Sequence, residues 1–258
     1  APAPGRALAP ARAPAMPTAT ATATIEPAHA APSPAARDEP FAPLAVPGFL
    51  DAVVSLPSDA GRRPLVVATH GAGGTPEWWC ARVRALVDAS AFVLCPRGRA
   101  MSRFDRGASG FYYPDHHALA RELAASLAAL AARYGERVDV EAPLYAGFSQ
   151  GATMGSLALP GFRFRALLLV EGGYDTWTVA LARAFHASGG ARVLLACGRP
   201  SCSRPARASL VYLRRGGVEA RLVGGDGAGH TFGGAVETGV VDALPFWLGA
   251  DRRLRAGR

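Results

Sequence analysis

The chain alternates between short apolar runs and longer segments in which apolar residues recur at helical spacing. The apolar runs predict strands at 49–56, 65–69, 92–95, 144–146, 166–170, 193–196 and 219–223. The helical spacing predicts helices at 76–88, 116–133, 152–159, 177–187, 204–215 and 235–248. Mostly apolar strands that alternate with helices predict an α/β fold. Its sheet is expected to be mainly parallel and doubly wound, with helices on both faces.

The first part of the chain lacks this pattern. Residues 1–42 are dominated by Ala, Pro and Thr and carry few large apolar side chains. Such a segment buries too little apolar surface to offset its ordering entropy, so we expect a disordered tether followed by one domain at 43–258. Because the sequence begins with Ala1 rather than Met, we expect a removed signal peptide and a secreted, periplasmic or envelope protein. A membrane tether through that removed segment stays open.

Charge changes this picture little. The formal net charge is +8 and the isoelectric point about 10.0, a balance that could indicate nucleic-acid binding. However, every basic residue is Arg, and the arginines are scattered except in the last seven residues. This pattern is typical of a GC-rich bacterial genome, so we expect no nucleic-acid partner. No apolar run approaches the ~20 residues that a membrane-spanning helix needs.

Four cysteines form two pairs that are close in sequence. Cys80 and Cys95 make one pair, and Cys197 and Cys202 the other. Three connectivities are open, and we favour the two local disulfides, which suit an extracytoplasmic protein. The alternative is four buried thiols in a cytosolic enzyme. Neither pair has the spacing of a zinc site, so no metal is expected.

A G-x-S-x-G match carries the first candidate chemistry. Gly147-Phe148-Ser149-Gln150-Gly151 lies between the strand predicted at 144–146 and the helix predicted at 152–159. A nucleophile elbow needs this strand–turn–helix context, with glycines where a Cβ would clash. The sequence therefore predicts Ser149 as a nucleophile. The alternative is an ordinary serine in a tight turn.

A serine nucleophile needs a base and donors for the oxyanion. His230 follows the last predicted strand across a glycine-rich loop, which makes it the expected base. The Gln150 N–H directly follows the nucleophile and is the first expected donor. The Ala72 N–H, in the loop His70-Gly71-Ala72-Gly73-Gly74, is the second. His70 is expected to support the shape of that loop.

The base of a serine nucleophile is usually oriented by a carboxylate, which completes a catalytic triad. Which residue supplies this carboxylate is less obvious from the sequence. The loop after the strand at 193–196 contains no carboxylate, although this is where the acid commonly lies. One strand earlier, Glu171 lies at the strand end and Asp175 four residues later. We rank Glu171 first and Asp175 second. Asp226 precedes His230 closely, but a flexible glycine loop would position it poorly.

Aromatic side chains cluster in loops at the same end of the predicted sheet. Trp78, Tyr112 and Tyr113 are candidate substrate-binding residues, together with Trp79 and Phe111. Packing in the core or in a lid is an equal alternative.

These motifs resemble those of the α/β-hydrolase superfamily, in particular the carboxylesterase and acyl-thioesterase group and dienelactone-hydrolase-like enzymes. The elbow, His70-Gly71 and Gly229-His230 carry the likeness. It implies an open sheet of eight-stranded type and cofactor-free, metal-free hydrolysis of esters or thioesters. The longest insertion, 97–114, leaves no room for a large cap domain, which favours small or exposed substrates.

Three alternatives stay open. A peptidase or an acyltransferase could use the same triad, because loops choose the leaving group and the acceptor. The missing acid also allows a catalytically inactive binding module tethered to the envelope. A small ester-like molecule is the expected ligand, and we expect a monomer.

Overall fold

A mixed sheet of eight strands forms the centre of the protein. The computed structural model describes residues 41–101, 110–158 and 161–254. The strands of the sheet are β1 (Phe41–Leu44), β2 (Ala52–Ser55), β3 (Arg63–Thr69), β4 (Phe92–Cys95), β7 (Val138–Phe148), β8 (Ala166–Val170), β9 (Arg192–Cys197) and β10 (Glu219–Gly224). A separate small hairpin consists of β5 (Arg99–Ala100) and β6 (Phe111–Tyr112).

The strand order is β1-β2-β4-β3-β7-β8-β9-β10. Within the described part of the chain, β2 pairs antiparallel with β1 and β4, and the other pairs are parallel. The parallel strands β3, β4, β8 and β9 and the second half of β7 are buried on both faces, as their continuous apolar runs predicted, whereas the edge strand β10 is partly exposed. Their carboxyl ends share one edge of the sheet, where ligands bind in folds of this type.

Seven helices are found among the described residues. They are α1 (Pro76–Leu86), α2 (His116–Tyr134), α3 (Gln150–Ala158), α4 (Val179–Ala187), α5 (Pro200–Arg215), α6 (Gly234–Asp242) and α7 (Leu244–Leu248). Alternate residues of each strand point into two apolar clusters, one on each face. One cluster includes residues of α1, α6 and α7, and the other includes residues of α2, α3, α4 and α5. The doubly wound sheet predicted from the sequence is confirmed.

Local chemistry sets the helix boundaries. Thr75 caps α1 and Asp115 caps α2, each accepting from a backbone N–H in the first turn. α5 begins at Pro200, four residues earlier than predicted, because proline suits the first turn of a helix. The single helix predicted at 235–248 is two helices. Pro245 cannot donate to a helical bond from inside such a helix, and α7 starts anew beside it.

Three further features bear on the predictions. The predicted tether at 1–42 lies outside the described residues except for Phe41 and Ala42, which begin β1. Between β4 and α2, the described residues form only the small hairpin, so no large cap domain is found there. Within the described ranges, no helix combines the length and the apolar character needed to cross a membrane.

Candidate active site

The tight turn between β7 and α3 holds Ser149 at the carboxyl edge of the sheet. Its φ of +52° lies in the left-handed region, which strains a residue with a side chain. Its N–H donates to Val170 O over 2.8 Å, which ties the turn to β8. A Cβ on Gly147 would lie 2.5 Å from Ala152 Cα, and one on Gly151 would lie 2.4 Å from Thr69 O. Only glycine fits at these two positions, as a nucleophile elbow requires.

His230 bridges Ser149 and a carboxylate. Its Nε2 lies 2.8 Å from Ser149 Oγ, and its Nδ1 lies 3.1 Å from Glu171 Oε2. An ionised carboxylate only accepts hydrogen bonds, so Nδ1 carries the proton and Nε2 accepts from the serine hydroxyl. The Glu171 side chain is fully buried, whereas that of His230 is 38% exposed. The three side chains form one chain of hydrogen bonds that leads from a buried acid to an accessible hydroxyl.

Of the three acid candidates, the structure brings Glu171 to the imidazole. Glu171 follows β8 directly, and its N–H donates to Ala196 O over 2.9 Å. Asp175 is exposed before α4, and Asp226 accepts from Ser203 Oγ over 2.9 Å. Among the described residues, Glu171 is the only carboxylate that contacts His230. The second-ranked candidate, Asp175, is therefore not part of the observed hydrogen-bond chain.

The loop after β3 passes beside the nucleophile. A Cβ on Gly71 would lie 3.0 Å from Ser149 Cβ. The N–H groups of Gly73 and Gly74 donate to Phe111 O and Gly71 O. For the N–H groups of Ala72 and Gln150, the described part of the protein offers no acceptor. The Ala72 and Gln150 N–H groups therefore stay candidate donors to a ligand oxygen.

His70 holds this loop from within. Its Nδ1 lies 2.8 Å from Gly71 O and its Nε2 lies 2.9 Å from Arg97 O. The ring packs on Tyr113 with a centroid distance of 4.9 Å. Burial lowers the pKa of His70, against the raising effect of the two carbonyl contacts. The residue therefore supports the shape of the loop, as expected, and does not contact Ser149.

The aromatic candidates separate into two groups. Trp78 is 39% exposed and stacks on Trp79 at 5.6 Å. It also meets Phe148 at 5.5 Å, and the Phe148 ring lies 5.5 Å from that of His230. Trp79 itself is buried and donates to Ala146 O, so it anchors this aromatic platform.

Tyr113 corrects a prediction. It is fully buried, and its hydroxyl donates to Pro96 O over 2.9 Å, so its side chain offers no surface to a substrate. The sequence placed it in the segment 97–114, predicted as a loop, but its ring is covered by packing against His70. Tyr112 is half-buried in β6 and stays a candidate substrate-binding residue.

Both local disulfides are present in the structure. Cys80–Cys95 joins α1 to the end of β4, and Cys197–Cys202 joins the end of β9 to the first turn of α5. Within the described ranges, no three His, Cys, Asp or Glu side chains are grouped to hold a metal ion.

Two partners of Glu171, both in the turn after β9, were not predicted from the sequence. The Gly198 N–H donates to Oε1, and Arg199 Nε donates to Oε2 over 2.9 Å. From the sequence, this turn was expected to hold the Cys197–Cys202 disulfide and to lack a carboxylate. A cation at the position where the acid was expected is the signal that could have identified Arg199.

Solved structures resemble this chain over most of its length. The protein TT1662 from Thermus thermophilus is 20% identical, with a TM-score of 0.61 over 83% of this chain and 100% of that one. The carboxylesterase of Bacillus cereus is also 20% identical, with a TM-score of 0.56 over 76% and 92%. A dienelactone hydrolase-like promiscuous phosphotriesterase from metagenomic libraries is 17% identical, with a TM-score of 0.57 over 81% and 98%.

The chain has the α/β-hydrolase fold. The resemblance predicted from the motifs is thus confirmed at the level of the fold. Comparison with protein-family profiles and with curated proteins finds no match.

Proposed function

We propose that the protein is a serine hydrolase that cleaves carboxylic ester or thioester bonds through an acyl-enzyme on Ser149. The observation that carries the proposal is the continuous chain of hydrogen bonds from Glu171 through His230 to Ser149 Oγ. The N–H groups of Ala72 and Gln150, for which the described residues offer no acceptor, support it. The fold is shared with a carboxylesterase and a dienelactone hydrolase-like enzyme, which agrees with this chemistry.

The first half of the reaction follows from this arrangement. Ser149 Oγ bonds to the substrate carbonyl carbon while its proton passes to His230 Nε2. The carbonyl electron pair moves onto oxygen, which accepts hydrogen bonds from the Ala72 and Gln150 N–H groups. Buried Glu171 stabilises the imidazolium through Nδ1. The intermediate then expels the alcohol or thiol, which takes the proton from Nε2.

Water completes the cycle by the same route. His230 Nε2 takes a proton from a water molecule whose oxygen attacks the acyl carbon. The second intermediate breaks its bond to Ser149 Oγ, which recovers the proton from His230. The products are a carboxylic acid and the free enzyme. No step requires a cofactor.

The exposed face of Trp78 suggests how the substrate is held. With Phe148, Trp78 forms an apolar platform that ends at the ring of His230. An aromatic surface of this kind favours an apolar acyl or alcohol group. We therefore propose small esters with an apolar portion as the substrate class.

The first test is covalent labelling with a fluorophosphonate probe, with the modified residue mapped by mass spectrometry. We expect labelling of Ser149 in the wild type, none in Ser149→Ala, and little in His230→Ala. Hydrolysis of p-nitrophenyl esters and of a matched thioester then measures turnover. Glu171→Gln is expected to lower kcat by about 10⁴-fold, since the wrong imidazole tautomer is then favoured.

Asp175→Asn is the matched control for the acid and is expected to keep wild-type turnover. Folded wild-type protein that is not labelled would contradict the proposal and favour a binding module. A labelled protein that cleaves amides, or transfers its acyl group to an alcohol in preference to water, would point to a peptidase or an acyltransferase.

A further inference from the structure

The turn closed by Cys197–Cys202 occupies the place where the sequence lacks the expected acid. Within it, the Gly198 N–H donates to Glu171 Oε1, and Arg199 Nε donates to Oε2 over 2.9 Å. Oε2 also accepts from His230 Nδ1 over 3.1 Å. Both oxygens of the buried carboxylate are therefore held, and the turn supplies two of the three donors.

The same turn also holds the loop that carries the base. The carbonyl oxygen of Gly198 accepts from Gly227 N and Gly229 N, each over 3.0 Å. A Cβ on Gly198 would lie 2.4 Å from Gly229 O, so the two backbones touch. The residue after Gly229 is His230. One residue of the turn, Gly198, thus contacts the acid through its N–H and the base loop through its carbonyl.

The turn is fixed at both of its ends. The disulfide joins the end of β9 to α5, and both of its half-cystines are at most 2% exposed. Just beyond it, Ser203 Oγ donates to Asp226 Oδ1 over 2.9 Å, a further link to the base loop. A turn tied to the sheet, to a helix and to the base loop has little freedom to shift.

We propose that the turn 197–202 positions the acid and the base for the reaction, and that Arg199 is its positioning residue. The role rests on the proposed serine hydrolase function. A buried carboxylate without a cationic partner is costly, and it relieves that cost by taking up a proton or by turning toward solvent. The Arg199 guanidinium neutralises Glu171 and fixes the plane of the carboxylate so that Oε2 faces Nδ1.

Arg199 also affects the protonation of the base. Among the described residues, the charged groups that face the imidazole are Glu171, in direct contact, and Arg199, which shares Oε2 with it. The positive charge of Arg199 opposes a second positive charge on the ring. In its absence the imidazolium form is favoured, and a protonated base cannot accept the serine proton. The acidic limb of the kcat/KM profile should then move to higher pH.

The test compares Arg199→Met with Arg204→Met, an exposed arginine of the following helix α5, in p-nitrophenyl ester hydrolysis between pH 5 and 9. For Arg199→Met we expect kcat to fall between about 10-fold and 100-fold, the effect of losing a charge-assisted hydrogen bond. KM should stay within about twofold, and the acidic limb should move upward. Arg199→Lys keeps the charge without the planar guanidinium. It should return the acidic limb of the pH profile to its wild-type position while recovering only part of kcat. Arg204→Met should match the wild type.

Folding is checked by thermal unfolding of each variant, and Arg199→Gln replaces Arg199→Met if the latter does not fold. An Arg199 variant that folds and matches the wild type in kcat and in pH profile would overturn the positioning role alone. An equal loss of kcat with an unmoved acidic limb would also overturn it, since a merely structural defect gives that result. A wild type that the fluorophosphonate does not label contradicts the proposed function itself.

Discussion

The two sides of the site are built in different ways. On the nucleophile side, which comprises the loop 70–74 and the elbow 147–151, backbone meets backbone so closely that glycine is required. On the acid–base side, which comprises Glu171, the turn 197–202 and the loop 224–230, side-chain hydrogen bonds and a disulfide make most of the connections. The first side is part of the packed core of the fold. The second is assembled from three loops and includes half-exposed groups.

Because the two sides are built differently, substitutions on them should affect stability and activity differently. A change on the nucleophile side should disturb folding and activity together, because the elbow is also where α3 packs against β3 and β7. A substitution on the acid–base side should lower activity while most of the stability remains, because the loops there contribute few side chains to the hydrophobic core.

Among the variants that compare the two sides below, Gly151→Ala is expected to lower activity most. Gly151→Ala would place a Cβ 2.4 Å from Thr69 O, so the elbow must shift. We expect a loss of about 1–3 kcal/mol in the free energy of unfolding, in spite of the better helix propensity of alanine. A displaced Ser149 should also lower kcat/KM by about 100-fold. Denaturant unfolding and ester hydrolysis measure the two effects.

Gly61→Ala is the control for this prediction. Gly61 is exposed, and a Cβ there would meet only Asp59 Oδ1 at an ordinary 3.5 Å. It should leave both quantities unchanged. A Gly151→Ala variant with wild-type stability and turnover would show that the elbow is less constrained than its contacts indicate.

The two disulfides offer a sharper comparison. Cys80–Cys95 closes a separation of 15 residues and Cys197–Cys202 one of 5. Chain entropy predicts that their replacement by alanine pairs costs about 3 and about 2 kcal/mol respectively. The loss of activity should follow the opposite order, with the larger loss of kcat after replacement of Cys197–Cys202. Loosening the turn 197–202 misplaces Glu171 and His230, and we expect about a tenfold loss of kcat from that pair.

Thermal unfolding and kcat measured on both double variants check this crossed pattern. If the Cys80–Cys95 variant lost more of both stability and kcat, activity would simply follow stability. The acid–base side would then have no separate positioning role.

The smallest effect is expected at the aromatic platform. Trp78→Ala removes a partly exposed ring that touches Phe148 but none of the triad hydrogen bonds. We expect wild-type stability and a loss of kcat/KM of roughly 2- to 10-fold for esters with long acyl chains. Acetyl esters should be unaffected. A series of p-nitrophenyl esters of increasing acyl length measures this, and equal losses for all lengths would contradict a role in binding.

Much of the fold followed from local pattern. The buried parallel strands were predicted because burial on both faces requires a continuous apolar run, as in 166–170. The helix ends were less predictable. Pro200 starts α5 and Pro245 lies in the first turn of α7, but the cysteine-rich turn concealed the first start and a continuous helical pattern concealed the second. Tyr113 was misplaced for a related reason, since nothing in its sequence neighbourhood shows that His70 covers its ring.

By itself, the sequence located Ser149 as the candidate nucleophile, because an elbow is a local motif of strand, turn and helix whose glycines can be recognised in a single stretch. For the acid, it supplied only two ranked candidates, Glu171 and Asp175. Only the tertiary structure brought together Ser149, His230 and Glu171, because the sequence separation is 81 between Ser149 and His230 and 59 between Glu171 and His230. The same is true of Arg199. Its pairing with Glu171 depends on the register of β8 against β9, and sheet register arises from the packing of the whole core.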